Sequence, residues 1–237
     1  MKQEDFDIAS LAKHLHLTPP QVQKMAERGK LPGRRVGGKW RFSQAEIHTW
    51  FEDKIGVSNE QDLTEVEKVL DRNQDPIDQT KISISQLLPV ELIFVPLAAK
   101  TKVSVIQKIC DAAAQTGAIW DSGKFADAIK NREALHPTAL GNGVALLHPR
   151  RPMTSIIGEP FLSLGITFSG IPFGGPRGVL TDLFFLIGSV DESQHLRVLA
   201  RISRLIQQPE FLETLRSCED AVSVWNTIKE FDDDLDG

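Results

Sequence analysis

Six histidines occur in the chain, and one of them stands in a place where an imidazole could act as a nucleophile. His148 ends the apolar run Val144-Ala145-Leu146-Leu147. It therefore closes a strand, where α/β domains commonly place their chemistry. Just upstream, Gly141-Asn142-Gly143 permits a tight backbone turn. His195 follows Asp191-Glu192-Ser193 at the start of an amphipathic pattern, and a helix start welcomes a neighbouring anion. Neutral imidazoles, an arginine and a helix start around one pocket suit phosphoryl chemistry, which needs positioning and positive charge more than covalent help. Taken alone, a histidine at a strand end is more often structural. His14, His16, His48 and His136 lie in polar or turn contexts and read as surface residues. No His-x-x-x-His pair or similar close ligand set occurs, so neither a metal nor another cofactor is expected.

A second chemistry is written in charge. The net charge is -5, yet residues 1–54 carry ten Lys/Arg against seven Asp/Glu. Arg28–Arg41 holds six basic residues and no acidic one. A basic patch on an acidic chain points to one region that meets a polyanion and another that does not. Lys24, Arg28, Arg34, Arg35, Lys39 and Arg41 are the candidate phosphate contacts, and Gln21, Gln23 and Lys24 the candidate readers of base edges.

The elements that must carry these residues fall into two groups. In the first, Asp7 caps a helix with Ile8, Leu11, Ala12 and Leu15 inward. Thr18 and Gln21 form a capping box around Pro19-Pro20 and open a second helix, with Val22 and Met25 inward and Gly29 as its stop. A hairpin turning at Gly37-Gly38 follows, and then a third helix opened by Ser43 and Glu46. Trp40, Phe42, Trp50 and Phe51 are read as core. Helix, turn, helix, basic hairpin and helix is a winged helix-turn-helix arrangement. From Lys81 onward strands and helices alternate. Strands are expected at Leu92–Leu97, Val144–Leu147, Phe161–Phe168 and Val179–Ile187. Helices are expected at Lys102–Ala114, Lys124–Glu133, Gln194–Gln207, Pro209–Ser217 and Asp220–Glu230. The fold class is therefore multi-domain: a small, mainly α winged helix-turn-helix plus an α/β layered domain with a mixed sheet.

The expected boundaries are 1–54 for the first domain, 55–80 for a linker, 81–231 for the second domain and 232–237 for a solvated acidic tail. In the linker Leu63, Val66 and Leu70 sit on a short helix over about Asn59–Arg72. It would serve as a homodimer seam or pack on its own chain, and so few heptad positions favour the second. Cys110 and Cys218 read as small apolar residues rather than a disulfide framework. No apolar run of membrane-spanning length and no signal-peptide pattern is visible, so a cytoplasmic protein without a membrane partner is expected.

Two resemblances sharpen this reading. Ile8-Ala9-Ser10-Leu11-Ala12, Arg28-Gly29-Lys30-Leu31-Pro32, Arg35-Val36-Gly37-Gly38-Lys39-Trp40-Arg41-Phe42 and Ile47-x-x-Trp50 resemble the excisionase/MerR-like family of small DNA-binding domains. Ala128-Ile129-x-x-Arg132-Glu133, Thr138 through His148, Asp182 through Ile187 and His195-Leu196-x-x-Leu199-Ala200-x-Ile202 resemble the IIA domains of the phosphotransferase system, of the fructose/mannitol and nitrogen-regulatory types. That second resemblance implies a phosphohistidine phosphotransferase activity. His148 would accept a phosphoryl group from a histidine phosphocarrier protein. His195 would hydrogen-bond it, and Arg132 and Thr138 would line the phosphate site. Leu147 stands where the family usually has proline, and Pro149 where it usually has a small residue. The stretch Gly170–Gly178 also departs from the family pattern, with Arg177 as an added cation at the rim. Together the resemblances imply a DNA-binding regulator, acting on DNA or through a partner regulatory protein, whose state follows phosphorylation of His148. The alternatives are a phosphocarrier component of sugar transport and an interaction module that is never phosphorylated.

Overall fold

The computed structural model describes residues 5–15, 17–44, 46–47, 49–51 and 82–235. The expected linker helix, His16 and His48 lie outside the described residues. The chain divides into two compact units, Met1–Thr80 and Lys81–Gly237.

The N-terminal unit starts with helices α1 (Ile8–His14) and α2 (Pro19–Glu27), each opened by a reciprocal capping box, Asp7 with Ser10 and Thr18 with Gln21. The box satisfies amide groups that have no partner within the helix. Gly29 ends α2 at φ +68°, with Lys30 N–H donating to Met25 O and Gly29 N–H to Ala26 O, a Schellman closure. Strands β1 (Arg34–Val36) and β2 (Lys39–Arg41) pair antiparallel across Gly37-Gly38, both at positive φ. Such a turn matches strand twist and requires residues without a Cβ penalty. Leu11, Ala12, Leu15, Val22, Ala26, Leu31, Phe42, Ile47 and Phe51 form the core. Met25, Trp40 and Trp50 are only half-buried, against expectation. The Trp50 indole N–H instead reaches out to Lys30 O at 2.8 Å.

The C-terminal unit is built on a sheet ordered β3-β5-β6-β4: β3 (Ile93–Phe94), β4 (Val144–Leu147), β5 (Phe161–Ile171) and β6 (Thr181–Gly188). β3 runs parallel to β5, β5 antiparallel to β6, and β6 parallel to β4, so the sheet is mixed. Ala139 adds one antiparallel bridge to Ala145 on the outer side of β4. The helices are α3 (Ile84–Leu87), α4 (Lys102–Gln115), α5 (Ser122–Leu135), α6 (Glu192–Leu205), α7 (Phe211–Ser217) and α8 (Ala221–Asp234). α4 packs on α5 and β5, and α8 packs on α3, α7 and β3.

Three expectations are corrected. The strand read over Leu92–Leu97 is realised only at Ile93–Phe94, because Val90–Leu92 turns as a 3-10 helix and Pro96 has no N–H to continue the ladder. β6 starts at Thr181, two residues late, because Val179 closes a 3-10 turn over Pro176–Gly178. The tail is not a solvated end at residue 232. Asp232 belongs to α8, is 1% exposed, and is bound at 2.7 Å by Arg201 Nε. Its second oxygen caps α3, accepting from Ile84 N–H at 2.7 Å and Ser83 O–H at 3.0 Å. A carboxylate so buried persists only because each oxygen has a donor.

Candidate functional site

The sheet itself gathers the two histidines. β4 and β6 are parallel, with Leu147 opposite Leu186, so their C-terminal ends point the same way. β4 ends on His148. β6 ends at Gly188, Ser189 follows it, and α6 then folds back from its Asp191 cap, whose carboxylate accepts from Gln194 N–H at 2.8 Å. His195, in the first turn and a half of α6, is thereby returned to the end of β4. The two rings lie 4.9 Å apart between centroids, tilted by 57°. Both histidines are 3% exposed.

Each ring has a defined anchor. His148 Nδ1 lies 2.8 Å from Leu146 O. A carbonyl oxygen can only accept, so Nδ1 carries the proton and the lone pair of the neutral ring sits on Nε2. His195 Nδ1 lies 3.1 Å from Ser189 Oγ. Ser189 carries no sequence signal other than its place at the end of β6. Pro149, the next residue in the chain, is also buried.

Arg132 is buried in the last turn of α5, and one of its bonds goes from Nη1 to His136 O at 2.7 Å. Thr138 is buried, and both its N–H and its hydroxyl donate to the Glu133 carboxylate. Glu133 is also 2.7 Å from Lys102 Nζ. In the sequence motif Arg132-Glu133 only the arginine signals a role; the fold shows that the glutamate has one too. Arg177 is exposed, at a positive φ of 55°. The Gly143 turn is pinned from the other end of β4: a Cβ there would meet Arg216 Nη2 at 2.6 Å. That guanidinium holds Asp182 through two bonds, at 2.7 and 2.8 Å.

In the N-terminal unit the predicted contacts are on the surface. Gln21, Gln23, Lys24 and Arg28 lie on the exposed side of α2, and Arg34, Arg35 and Lys39 are exposed on the hairpin, with Arg41 half-buried. The Gln21 carbonyl oxygen is engaged in the cap, and Gln23 bonds Glu27 at 2.9 Å. Arg35 lies over the Trp40 ring at 5.2 Å. Arg34 stands directly opposite Arg41 in the ladder. Like charges so placed cost roughly 0.2–1 kcal/mol. Asp5 offsets this at Arg34, 2.7 Å away. The Asp7 carboxyl is held below its ordinary value, first by the Ser10 backbone N–H, with Arg41 adding to the effect.

Residues 86–231 match the family described as phosphoenolpyruvate-dependent sugar phosphotransferase system, EIIA 2. The chain belongs to that family. Residues 6–54 match a helix-turn-helix domain. The EIIA region is 29% identical over 147 residues to a nitrogen regulatory protein of Bradyrhizobium diazoefficiens, covering 61% of this chain and 94% of that one. It is 26% identical over 149 residues to the fructose-specific EIIA component of Haloferax volcanii, covering 62% and 95%. A fructose-specific EIIABC component of Bacillus subtilis is 26% identical over 153 residues, and there the chain spans only 24% of the relative's length. The fold of the EIIA domain is that of the nitrogen regulatory protein IIA-Ntr from Neisseria meningitidis, with a TM-score of 0.55 at 20% identity over 61% of this chain and 98% of that one. IIA mannitol from Escherichia coli gives 0.53 at 20% identity, over 59% and 97%. Among the described residues no helix is long and apolar enough to cross a membrane.

Proposed function

We propose that this chain is a DNA-binding regulator whose EIIA domain accepts a phosphoryl group on His148 from a phosphorylated histidine carrier protein. The observation that carries the reading is the His148 Nδ1 bond to Leu146 O, which leaves Nε2 as the nucleophilic nitrogen beside the His195 ring. The Nε2 lone pair attacks phosphorus as the donor's P–N bond breaks, and the bonding pair returns to the donor imidazole. Nothing is oxidised or reduced. His195 is the group placed to bond the phosphoryl oxygens, and Arg132 supplies positive charge at the buried end of α5. The product adds up to about two negative charges.

For the N-terminal unit, the exposed cations of α2 and the hairpin support contact with DNA phosphates, the α2 surface facing base edges. The Arg34–Arg41 juxtaposition supports the same reading, because a polyanion laid along the wing relieves it.

The test is incubation with a phosphorylated histidine carrier, followed by mass spectrometry, acid treatment and DNA titration of both forms. Wild type gains one acid-labile, base-stable phosphoryl group, and His148→Ala gains none. Label that survives acid, or that persists in His148→Ala, rules out the acceptor role. A phosphorylated form that binds DNA as the unmodified form does, yet passes its phosphoryl group to a sugar-permease domain, favours transport over regulation.

A further inference from the structure

The stretch Gly170–Gly178 is attached to the acceptor by a continuous set of contacts. Phe173 is 1% exposed and packs on Phe184 of β6 at 5.1 Å between ring centroids. Lys102, the first residue of α4, places its ammonium 4.7 Å from the Phe173 ring centroid and donates to Phe173 O at 3.3 Å. The same ammonium lies 2.7 Å from Glu133 Oε2. The Glu133 carboxylate is 1% exposed, and its other oxygen accepts both the N–H, at 3.1 Å, and the hydroxyl of Thr138. Thr138 O accepts from Leu146 N–H at 3.4 Å, and Leu146 O in turn holds His148 Nδ1 at 2.8 Å. The loop also covers this segment directly: a Cβ at Gly174 would meet Pro137 at 2.8 Å, and one at Gly175 would meet Val179 O at 2.7 Å and Leu140 O at 3.5 Å.

We infer that Lys102 and Glu133 are positioning residues for His148, acting through Thr138 and the Leu146 peptide. The arrangement answers a specific need. Leu146 belongs to the outer strand of the sheet, with β6 on one side. On its other side, among the described residues, the segment around Ala139 is what bridges to it. The carbonyl that selects the His148 tautomer therefore depends on how firmly residues 138–140 are held. Glu133 holds them by taking both donors of Thr138. A carboxylate buried in that role calls for a cation beside it, and Lys102, 2.7 Å away, is that cation. Lys102 is in turn fixed by the ring and carbonyl of Phe173. In this state Thr138 has no donor left for a phosphoryl oxygen, so its part is support rather than phosphate binding.

This inference rests on His148 being the acceptor, and the test separates the two ideas. Phosphoryl acceptance and the ring ¹⁵N shifts of His148 are measured in the full chain for wild type, Glu133→Gln and Lys102→Met. Thermal unfolding is followed in parallel, and His148→Ala is the control for the acceptor. Glu133→Gln keeps the size of the side chain but turns an amide donor toward Lys102, so it is chosen over Glu133→Ala, which empties a buried site. The expected result is a fall in acceptance of about 10- to 100-fold in folded variants, the scale set by a displacement of the acceptor of about 1 Å. It is accompanied by ¹⁵N shifts that move from a single Nδ1–H form toward a mixture of tautomers. Acceptance within about twofold of wild type overturns the inference, and so does a slow variant whose His148 shifts are those of wild type. If wild type itself accepts nothing, the acceptor reading falls, while the tautomer shifts still decide whether Glu133 positions the ring.

Discussion

In the N-terminal unit the groups that would do chemistry are outside: Arg34 is 62% exposed at its side chain, and its charge is met by the half-exposed Asp5. In the C-terminal unit they are inside, with His148 and His195 each 3% exposed and Arg132 7%. The contrast follows from the task proposed for each. A polyanion is met by long, exposed side chains whose scaffold is indifferent to them, so the basic hairpin needs only two glycines and a small core. A phosphoryl acceptor needs one ring nitrogen aimed and water held off, so its scaffold is bound up with the site. Substitutions should therefore separate folding from function in the first unit and entangle them in the second.

Asp232→Ala tests the entangled side with the largest expected effect. It removes the buried carboxylate that accepts from Arg201 Nε and from Ile84 N–H, leaving a guanidinium in the interior without its counter-charge at that oxygen, which costs about 3 kcal/mol. Amide exchange resolved by unit should show the loss across the EIIA domain alone. An equal loss in both units, or none in either, breaks the comparison. Arg34→Ala and Arg41→Ala test the separable side. Each should change stability by no more than about 0.5 kcal/mol. Each should also lower the slope of log affinity against log salt by about one for every DNA tried. Unfolding of the small unit by either change would show that the wing's cations are structural. The smallest effect concerns the thiols, both of which lie in the EIIA domain. Burial pushes the Cys110 thiol up to about 12 from an ordinary 9.0, while Cys218 is half-exposed. A thiol reagent at neutral pH should modify Cys218 promptly and Cys110 only as fast as the domain opens. The raised value also sets a sign: Cys110 contributes stability below pH 9, and that contribution is lost progressively as pH rises toward 12, because the unfolded chain ionises first. Alkaline unfolding should accordingly come earlier for wild type than for Cys110→Ala measured against its own neutral-pH stability.

Much of this was legible in residue order. Capping pairs, the Gly37-Gly38 turn and the apolar run ending on His148 are local patterns, and local patterns survive in sequence. What was not legible is long-range polar pairing. Asp232 looks like one acid among several in Asp232-Asp233-Asp234, and only folding brings it to Ile84, 148 positions away. Glu133 stands five residues from Thr138, close enough to be noticed, yet nothing in the spacing says that the carboxylate is buried or that Lys102 reaches it. Ser189 gives no signal until β6 and α6 are set against each other. The short β3 shows the converse, an apolar run whose single proline outweighs its hydrophobicity.

The clasp between Asp232 and the start of α3 has one more consequence. The polypeptide enters the EIIA domain at residues 83–84 and leaves it at α8, and these two places touch. A domain whose ends meet is a cassette. It can be set into or removed from another chain without threading. A short bridge from residue 235 to residue 82 would close it into a ring that can be reopened at a surface loop, with its acceptor histidine left undisturbed.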